Sequence, residues 1–294
     1  MASFPEAMGG IMQLAAQVEA LAATGAALRG RHDATVDPTI AGAIDAIAEL
    51  AVPGVLDLSP DEQRIVLGAA RALLLNAVDL LEHPDHPPGW SHDDPALLDS
   101  IGRLSGAVGL GMVGLAAHLG VDLAAPGARV LDVGTGAGWI AITIARAVPS
   151  VRCTGLDIWG PSLALARANV EAAGLGDRVE IRDADVTALD EPAAYDMAWV
   201  PVPFLPEAIV PAALERTVAA TKPGGWVLPG QFAGPPGPLA EALTTLRTVR
   251  AGGRRWTDDE LGEALRAAGC DEVVVPPRQP NAPVTFVAGR CGTP

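Results

Sequence analysis

Large apolar residues recur at helical spacing through the first part of the chain. Up to about residue 120 the spacing fits helices, and we find no strand-like alternation there. Helix starts are marked where a capping side chain precedes a proline, at Asp37-Pro38, Ser59-Pro60 and Asp94-Pro95. The expected helices cover residues 3–28, 38–50, 60–82 and 95–119. Residues 1–120 are therefore predicted to form an all-helical N-terminal domain.

Short apolar runs alternate with helical patterns after residue 120. This alternation predicts a mainly parallel sheet with helices on both faces. The expected strands cover residues 129–133, 151–156, 179–181, 196–200, 226–228, 272–275 and 285–288. The last two are expected to pair antiparallel at one edge, and residues 234–238, GPPGP, to form a turn-rich insert. The predicted fold class is α/β, with a seven-stranded, doubly wound, Rossmann-like sheet in residues 121–294.

Composition narrows the classes of partner. The net charge is −15 and Lys222 is the only lysine, so the chain repels nucleic acids and anionic lipids, and neither a nucleic acid nor a membrane is expected as a partner. No uninterrupted apolar run reaches the ~18 residues of a membrane helix. The N-terminus lacks the basic region of a secretory signal, which favours a cytoplasmic protein, and richness in alanine, glycine and arginine suggests a bacterial one. The cysteines show no metal-binding or disulfide spacing.

One glycine turn gives the clearest indication of a ligand-binding site. The segment VLDVGTGAGWIAI, residues 130–142, joins an apolar run containing Asp132 to a helical pattern through three glycines at alternate positions. It predicts a buried strand, a tight turn and a helix. Such a turn lets a ligand approach the backbone at the carboxyl end of a parallel strand. A dinucleotide fingerprint would place its third glycine at Trp139, so the spacing disfavours a NAD-dependent oxidoreductase.

Acidic residues end the next two predicted strands. Asp157 follows the second strand and can accept hydrogen bonds from both hydroxyls of a ribose that lies over the turn. Asp185 follows the third strand where an adenine edge would lie, beside the backbone of Val186. Ile158 and Trp159 can supply an apolar face for the base. No Lys or Arg lies at the turn, which indicates a nucleoside without phosphate.

Residues 129–230 resemble a class I S-adenosylmethionine-dependent methyltransferase. Four segments in series carry the resemblance: VLDVGTGAG, GLDIWGPSLALARANVEAAGLGDRVEIRDADV, YDMAWVPVPF and TKPGGWVL. The resemblance implies S-adenosylmethionine as the cofactor, with Asp132 placed to orient its amino group. The cofactor contacts that it implies are Asp132, Gly134, Thr135, Gly136, Gly138, Asp157, Ile158, Trp159, Asp185, Val186 and Pro201. No metal is expected, because adenine binding and a solvated turn explain the acids at 183–191 better than chelation does.

The implied reaction is an in-line displacement at the sulfonium methyl group by an O, N or C nucleophile of a small molecule. Related O-methyltransferases with a helical amino-terminal domain carry a histidine after the fourth strand, where this chain has Pro203-Phe204. N-methylating relatives have a polar residue before their prolines there, which PVPF lacks. All 5 histidines precede the glycine turn, so the sheet domain is expected to have none as a base. No catalytic residue is assigned.

The elbow, residues 83–95 with the sequence HPDHPPGWSHDDP, leaves two interpretations open. It is either a rigid, solvated interdomain loop or a segment whose Trp90 and His92 form a wall of the substrate pocket. Pro203 and Phe204 are further substrate-site candidates. The helical domain is expected to supply the acceptor pocket and a homodimer surface. A protein that binds S-adenosylmethionine or its product without catalysis remains the alternative.

Overall fold

The computed structural model describes residues 3–278 and 282–292. The chain forms two compact units: the helical unit comprises residues up to 85 together with 99–104, and the sheet unit comprises residues 86–98 and those from 105 onward. The predicted domain boundary at residue 120 stays a prediction. The two compact units are not separated at residue 120, because most of the elbow and the second half of the following helix pack with the sheet.

The helical unit is built from α1 (Phe4–His32), α2 (Pro38–Ala51) and α3 (Pro60–Glu82), while α4 (Pro95–His118) contributes to both units. The predicted caps are present. Asp37 accepts the N–H of Thr39 at 2.8 Å, and Ser59 donates its N–H to Glu62 at 2.9 Å. The small core of the unit includes Ala27, Leu28, Ala48, Val55 and Leu67.

Two described helices, α1 and α4, are long and apolar enough to cross a membrane by length and composition. The most apolar window of each is 22% and 39% buried within the structure, respectively. Core helices of soluble proteins and signal sequences meet the same criterion. The expected absence of a membrane partner therefore stays a prediction.

Over the described residues, the sheet unit has one 8-stranded sheet in the order β3-β2-β1-β4-β5-β8-β6, with β7 paired to β5. Its strands are β1 (Arg129–Val133), β2 (Arg152–Asp157), β3 (Val179–Asp183), β4 (Tyr195–Pro201), β5 (Thr221–Phe232), β6 (Cys270–Val274), β7 (Val284–Phe286) and β8 (Ala288–Cys291). Strands β1 to β5 are parallel, and β6 pairs antiparallel with β8. The predicted α/β class is confirmed. The sheet has one strand more than expected because the last one is split at Val287, whose N–H donates to Pro229.

Helices cover both faces of the sheet: α5 (Trp139–Ala147), α6 (Gly160–Ala172), α7 (Val210–Ala220), α8 (Pro238–Arg250) and α9 (Asp258–Ala267). Alternate strand residues enter two separate cores, as expected for a sheet buried on both faces. Val130 and Trp199 join one core with Met112 of α4. Leu131 and Val200 join the other. This packing brings the carboxyl ends of β1, β2, β4 and β5 to one edge.

Candidate active site

The glycine turn after β1 has the backbone conformation that requires glycine. Gly134, Gly136 and Gly138 have φ values of 61°, 54° and 83°, all in the left-handed region. A Cβ on Gly134 would lie 3.1 Å from Cγ of Pro201, so the turn packs closely on the end of β4. A Cβ on Gly136 would meet nothing within 4 Å. The backbone at Gly136 is therefore the open part of the turn.

Asp132 lies beneath the turn with no exposed surface. Its Oδ2 accepts a hydrogen bond from the Thr135 hydroxyl at 2.6 Å, while its buried Oδ1 has no hydrogen-bond partner among the residues that the structure describes. Burial raises the pKa of Asp132 to about 7; the Thr135 bond opposes this shift, and the nearby charge of Asp157 adds to it. The carboxyl group therefore holds the turn from below. Its predicted contact with a ligand amino group stays a prediction.

Asp157, at the end of β2, binds the glycine turn directly. Its Oδ2 accepts the N–H of Gly136 at 2.8 Å, and its Oδ1 accepts the N–H groups of Ile158 at 2.8 Å and Trp159 at 2.9 Å. A carboxylate offers about four lone-pair sites, so these bonds leave one. Two ribose hydroxyls can therefore both bind Asp157 only if a backbone bond, most simply that of Gly136, gives way.

The predicted adenine side of the site lies at the ends of the neighbouring strands β2 and β3. The Ile158 side chain is 69% exposed and offers an apolar surface next to Asp157. Asp185 is exposed, and its Oδ1 accepts the N–H and the hydroxyl of Thr187, both at 2.8 Å. Val186 is buried. The structure thus places these predicted contacts at one edge of the sheet.

Four rings form an aromatic row at the ends of β4 and β5. Trp90 contacts His92 and Phe204 with centroid distances of 5.3 Å each, and Phe204 contacts Phe232 at 5.3 Å. The interplanar angles of 89°, 81° and 78° are those of edge-to-face pairs. Phe232 ends β5, and Phe204 follows β4. The structure thus brings Trp90 and His92 of the elbow to Phe204, while their role in binding a substrate stays a prediction.

Two hydrogen bonds, among other contacts, hold the elbow within the sheet unit. The indole N–H of Trp159 donates to the His92 carbonyl at 2.7 Å, and the N–H of Gly89 donates to the Arg250 carbonyl at 3.0 Å. Arg250 ends α8, which the sequence analysis missed. The turn after α8 also packs on the loop after β4, where a side chain on Gly253 would collide with the carbonyl of the buried Pro203.

The expectation that residues 121–294 have no histidine as a base stays a prediction. It rests on chain order, whereas the compact sheet unit also includes residues 86–98. His92 lies in the aromatic row, and its ring centroid is 6.2 Å from that of His86. His118 does not belong to the aromatic row. Its Nδ1 lies 2.9 Å from the carbonyl oxygen of Gly114 in α4. Over the part of the chain that the structure describes, no three His, Cys, Asp or Glu residues are grouped as metal ligands would be.

Comparisons with known proteins agree with this geometry. Residues 130–225 match a family model described as "Methyltransferase domain". This match covers the strands and turns that surround the glycine turn and Asp157. Residues 130–225 of the sheet unit therefore resemble a methyltransferase domain. The predicted family resemblance is therefore confirmed.

Two relatives match parts of this chain. Release factor glutamine methyltransferase of Chlorobaculum tepidum is 37% identical over 83 residues, which are 27% of this chain and 28% of that protein. The 3-hydroxy-5-methyl-1-naphthoate 3-O-methyltransferase of Streptomyces sahachiroi is 32% identical over 152 residues, which are 49% of this chain and 44% of that protein. The chain thus spans less than half the length of either relative.

A solved structure resembles the whole chain in fold. Human N-acetylserotonin methyltransferase in complex with S-adenosylmethionine matches with a TM-score of 0.62 at 15% identity, over 100% of both chains. That likeness includes the helical N-terminal region as well as the methyltransferase domain. It therefore supports the predicted combination of a helical part with an α/β sheet.

Proposed function

We propose that the protein transfers the methyl group of S-adenosylmethionine to an O, N or C nucleophile of a small molecule. The observation that carries this proposal is the joint placement of the open glycine turn, Asp157 and exposed Ile158 at one edge of the sheet. This edge offers hydrogen-bond acceptors and an apolar face, as a nucleoside without phosphate requires. The name of the Streptomyces relative, a naphthoate O-methyltransferase, favours a hydroxyl group on an aromatic acid as the acceptor.

The residues at the edge fit the cofactor. Asp157 keeps an acceptor site for the ribose, and exposed Ile158 offers a face to the adenine. Gly136 leaves its backbone open, and the buried Asp132 has an unpartnered oxygen that a cationic ligand or an ordered water would satisfy. S-adenosylmethionine supplies a methyl group activated by its sulfonium charge. The chain's part is to hold the donor, align the acceptor and exclude water.

The aromatic row is the proposed acceptor side of the site. Trp90 and Phe204 present ring surfaces that suit a flat apolar molecule. His92 is the histidine in this row, and an acceptor hydroxyl that keeps its proton at neutral pH requires a proton acceptor. Pro203 is buried, so we assign it a supporting role beneath Phe204 rather than a direct contact.

We also infer a homodimer that forms through the helical unit. Phe4, Met8, Ile11 and Met12 lie on one face of α1 and are 77%, 42%, 58% and 63% exposed. A contiguous apolar face of this kind is typical of an interaction surface. Light scattering after size exclusion should give a dimer for the wild-type protein and a monomer for the variant Ile11→Glu/Met12→Glu. A monomeric wild-type protein would overturn the inference.

We propose a cytoplasmic protein, and the charge of −15 supports the further proposal that it has no nucleic-acid or anionic-membrane partner. The apolar face of α1 offers a direct check of this part of the proposal. Sedimentation with vesicles of zwitterionic lipid should leave the protein in the supernatant. Co-sedimentation that is lost in Ile11→Glu/Met12→Glu would instead identify α1 as a membrane-binding helix.

Calorimetry with S-adenosylhomocysteine tests the donor site. We expect the wild-type protein to bind it, Asp157→Ala to lose binding, and neither protein to bind NADH. Asp183→Ala is the matched control, because exposed Asp183 lies directly opposite Asp157 on the neighbouring strand. Binding without transfer of a labelled methyl group to hydroxynaphthoates, other phenols or amines would favour the non-catalytic alternative. No binding at all would overturn the proposal.

A further inference from the structure

We infer that Trp159 is a positioning residue that couples the donor site to the acceptor side. This inference rests on the proposed function. Trp159 is bonded to both sides: its backbone N–H donates to Asp157 at 2.9 Å, and its indole N–H donates to the His92 carbonyl at 2.7 Å. Trp159 thus connects Asp157, whose carboxylate is proposed to hold the ribose, with the elbow segment that carries Trp90.

The elbow depends on such anchors because it has little regular structure of its own. Between the end of α3 and the start of α4 it forms neither a helix nor a strand. Pro84, Pro87 and Pro88 within it have no N–H to donate. The bonds from Gly89 to Arg250 and from Trp159 to His92 enclose a short segment that contains Trp90. These two bonds therefore help to hold the Trp90 ring in place.

The anchored segment determines one end of the aromatic row. The Trp90 ring lies against Phe204 with a centroid distance of 5.3 Å, and the His92 ring lies against Trp90 at the same distance. Without the indole N–H, the His92 carbonyl loses this donor, so the segment loses one of the hydrogen bonds that hold it. Trp159 therefore controls the order of the acceptor wall without needing to touch the acceptor.

The coupling between the donor site and the elbow can be measured. A ligand on Asp157 restricts the backbone that carries Trp159, and Trp159 in turn restricts the elbow. Because coupling between two sites is reciprocal, an ordered elbow raises the affinity for the donor, and a bound donor raises the affinity for the acceptor. The donor product alone should therefore order the elbow, even when no acceptor is present.

Hydrogen–deuterium exchange with and without S-adenosylhomocysteine tests this coupling. Trp159→Phe keeps the aromatic ring and the backbone bond to Asp157 but removes the indole donor. Trp226→Phe is the matched control, because the Trp226 indole also donates to a backbone carbonyl, that of Leu119, at 3.1 Å. Calorimetry with S-adenosylhomocysteine gives the affinity of each variant, so that exchange is compared at ligand saturation, and thermal unfolding confirms that each variant is folded.

In the wild-type protein and in Trp226→Phe, S-adenosylhomocysteine should slow exchange at residues 89–94. In Trp159→Phe, exchange there should be about fivefold faster, as expected for one lost hydrogen bond, and insensitive to the ligand. Equal ligand protection in Trp159→Phe and wild type would overturn the coupling and leave the proposed function standing. A wild-type protein that does not bind S-adenosylhomocysteine would overturn both.

Discussion

Asp157 accepts the N–H of Gly136 at 2.8 Å, so the carboxylate at the end of β2 holds the glycine turn at the end of β1. The same carboxylate accepts two further backbone N–H groups from the residues that follow it. Asp157 therefore has a structural role in addition to the proposed ribose contact. The two roles make different predictions, one for stability and one for ligand affinity.

Asp157→Ala should lower the free energy of unfolding by about 1–3 kcal/mol, because three backbone donors lose a charged acceptor. Urea denaturation measures this loss. Asp183→Ala removes an exposed carboxylate from the adjoining strand and should change stability by no more than about 0.5 kcal/mol. Equal stability of the two variants would mean that the backbone bonds to Asp157 contribute nothing to folding.

Gly136→Ala should reduce both stability and binding of S-adenosylhomocysteine. Gly136 has φ 54° and faces open space, so alanine adds strain of about 1–2 kcal/mol and a methyl group at the proposed ligand surface. Calorimetry should show a loss of affinity of at least about tenfold, or 1.4 kcal/mol.

Gly174→Ala is the control for this experiment. Gly174 has φ 66°, and its Cβ would likewise meet nothing within 4 Å, but it lies in the turn after α6. It should therefore lose a similar amount of stability and keep the affinity of the wild-type protein. If both variants bind S-adenosylhomocysteine as tightly as wild type, the open side of Gly136 is not part of the ligand site.

Local patterns predicted the helices and the parallel strands well. The predicted helix start at Ser59 is present as a capping box, because a capping side chain and its partner lie within one helical turn and need no tertiary information. Strands β1 to β5 were predictable since buried strands have short apolar runs bounded by turns. Asp157 was correctly placed at a strand end, but its backbone partners depend on how two turns meet.

The missed elements have physical reasons. Helix α8 buries Thr244 and Thr248, while the apolar residues on its other side are largely exposed, as Leu239 is at 67%. The apolar spacing from Leu239 to Val249 was the signal that would have predicted it. The path of the elbow is set by bonds to Trp159 and Arg250, which lie far away in sequence, so local spacing carries no information about it.

Asp132 should make the protein less stable as the pH rises from about 4 to about 7. Its pKa in the folded protein is about 7, above the ordinary value of 3.8, so the folded state retains a proton that the unfolded state has lost. Stability from this group is therefore present at low pH and lost as the pH rises through the folded pKa, with a total of a few kcal/mol.

Asp132→Asn should remove this dependence, because an amide stays neutral and can still accept from Thr135. Urea denaturation at intervals from pH 4 to pH 8 measures it. Asp185→Asn removes an exposed carboxyl group of the same size and should leave the slope unchanged. A slope in Asp132→Asn as steep as that of the wild-type protein would assign the pH dependence to other groups.

His92→Ala should reduce methyl transfer to a hydroxynaphthoate while binding of S-adenosylhomocysteine changes little. His92 contacts Trp90 in the aromatic row, and its carbonyl bond to Trp159 is made by the backbone, which alanine retains. Loss of a general base typically costs about 10²–10⁴-fold in rate, so we expect a fall in kcat of at least about 100-fold. His118→Ala is the control, since His118 bonds to a carbonyl within α4. If His92→Ala raises only KM, the ring binds the acceptor without taking its proton; if it changes neither constant, the aromatic row is not the acceptor side of the site.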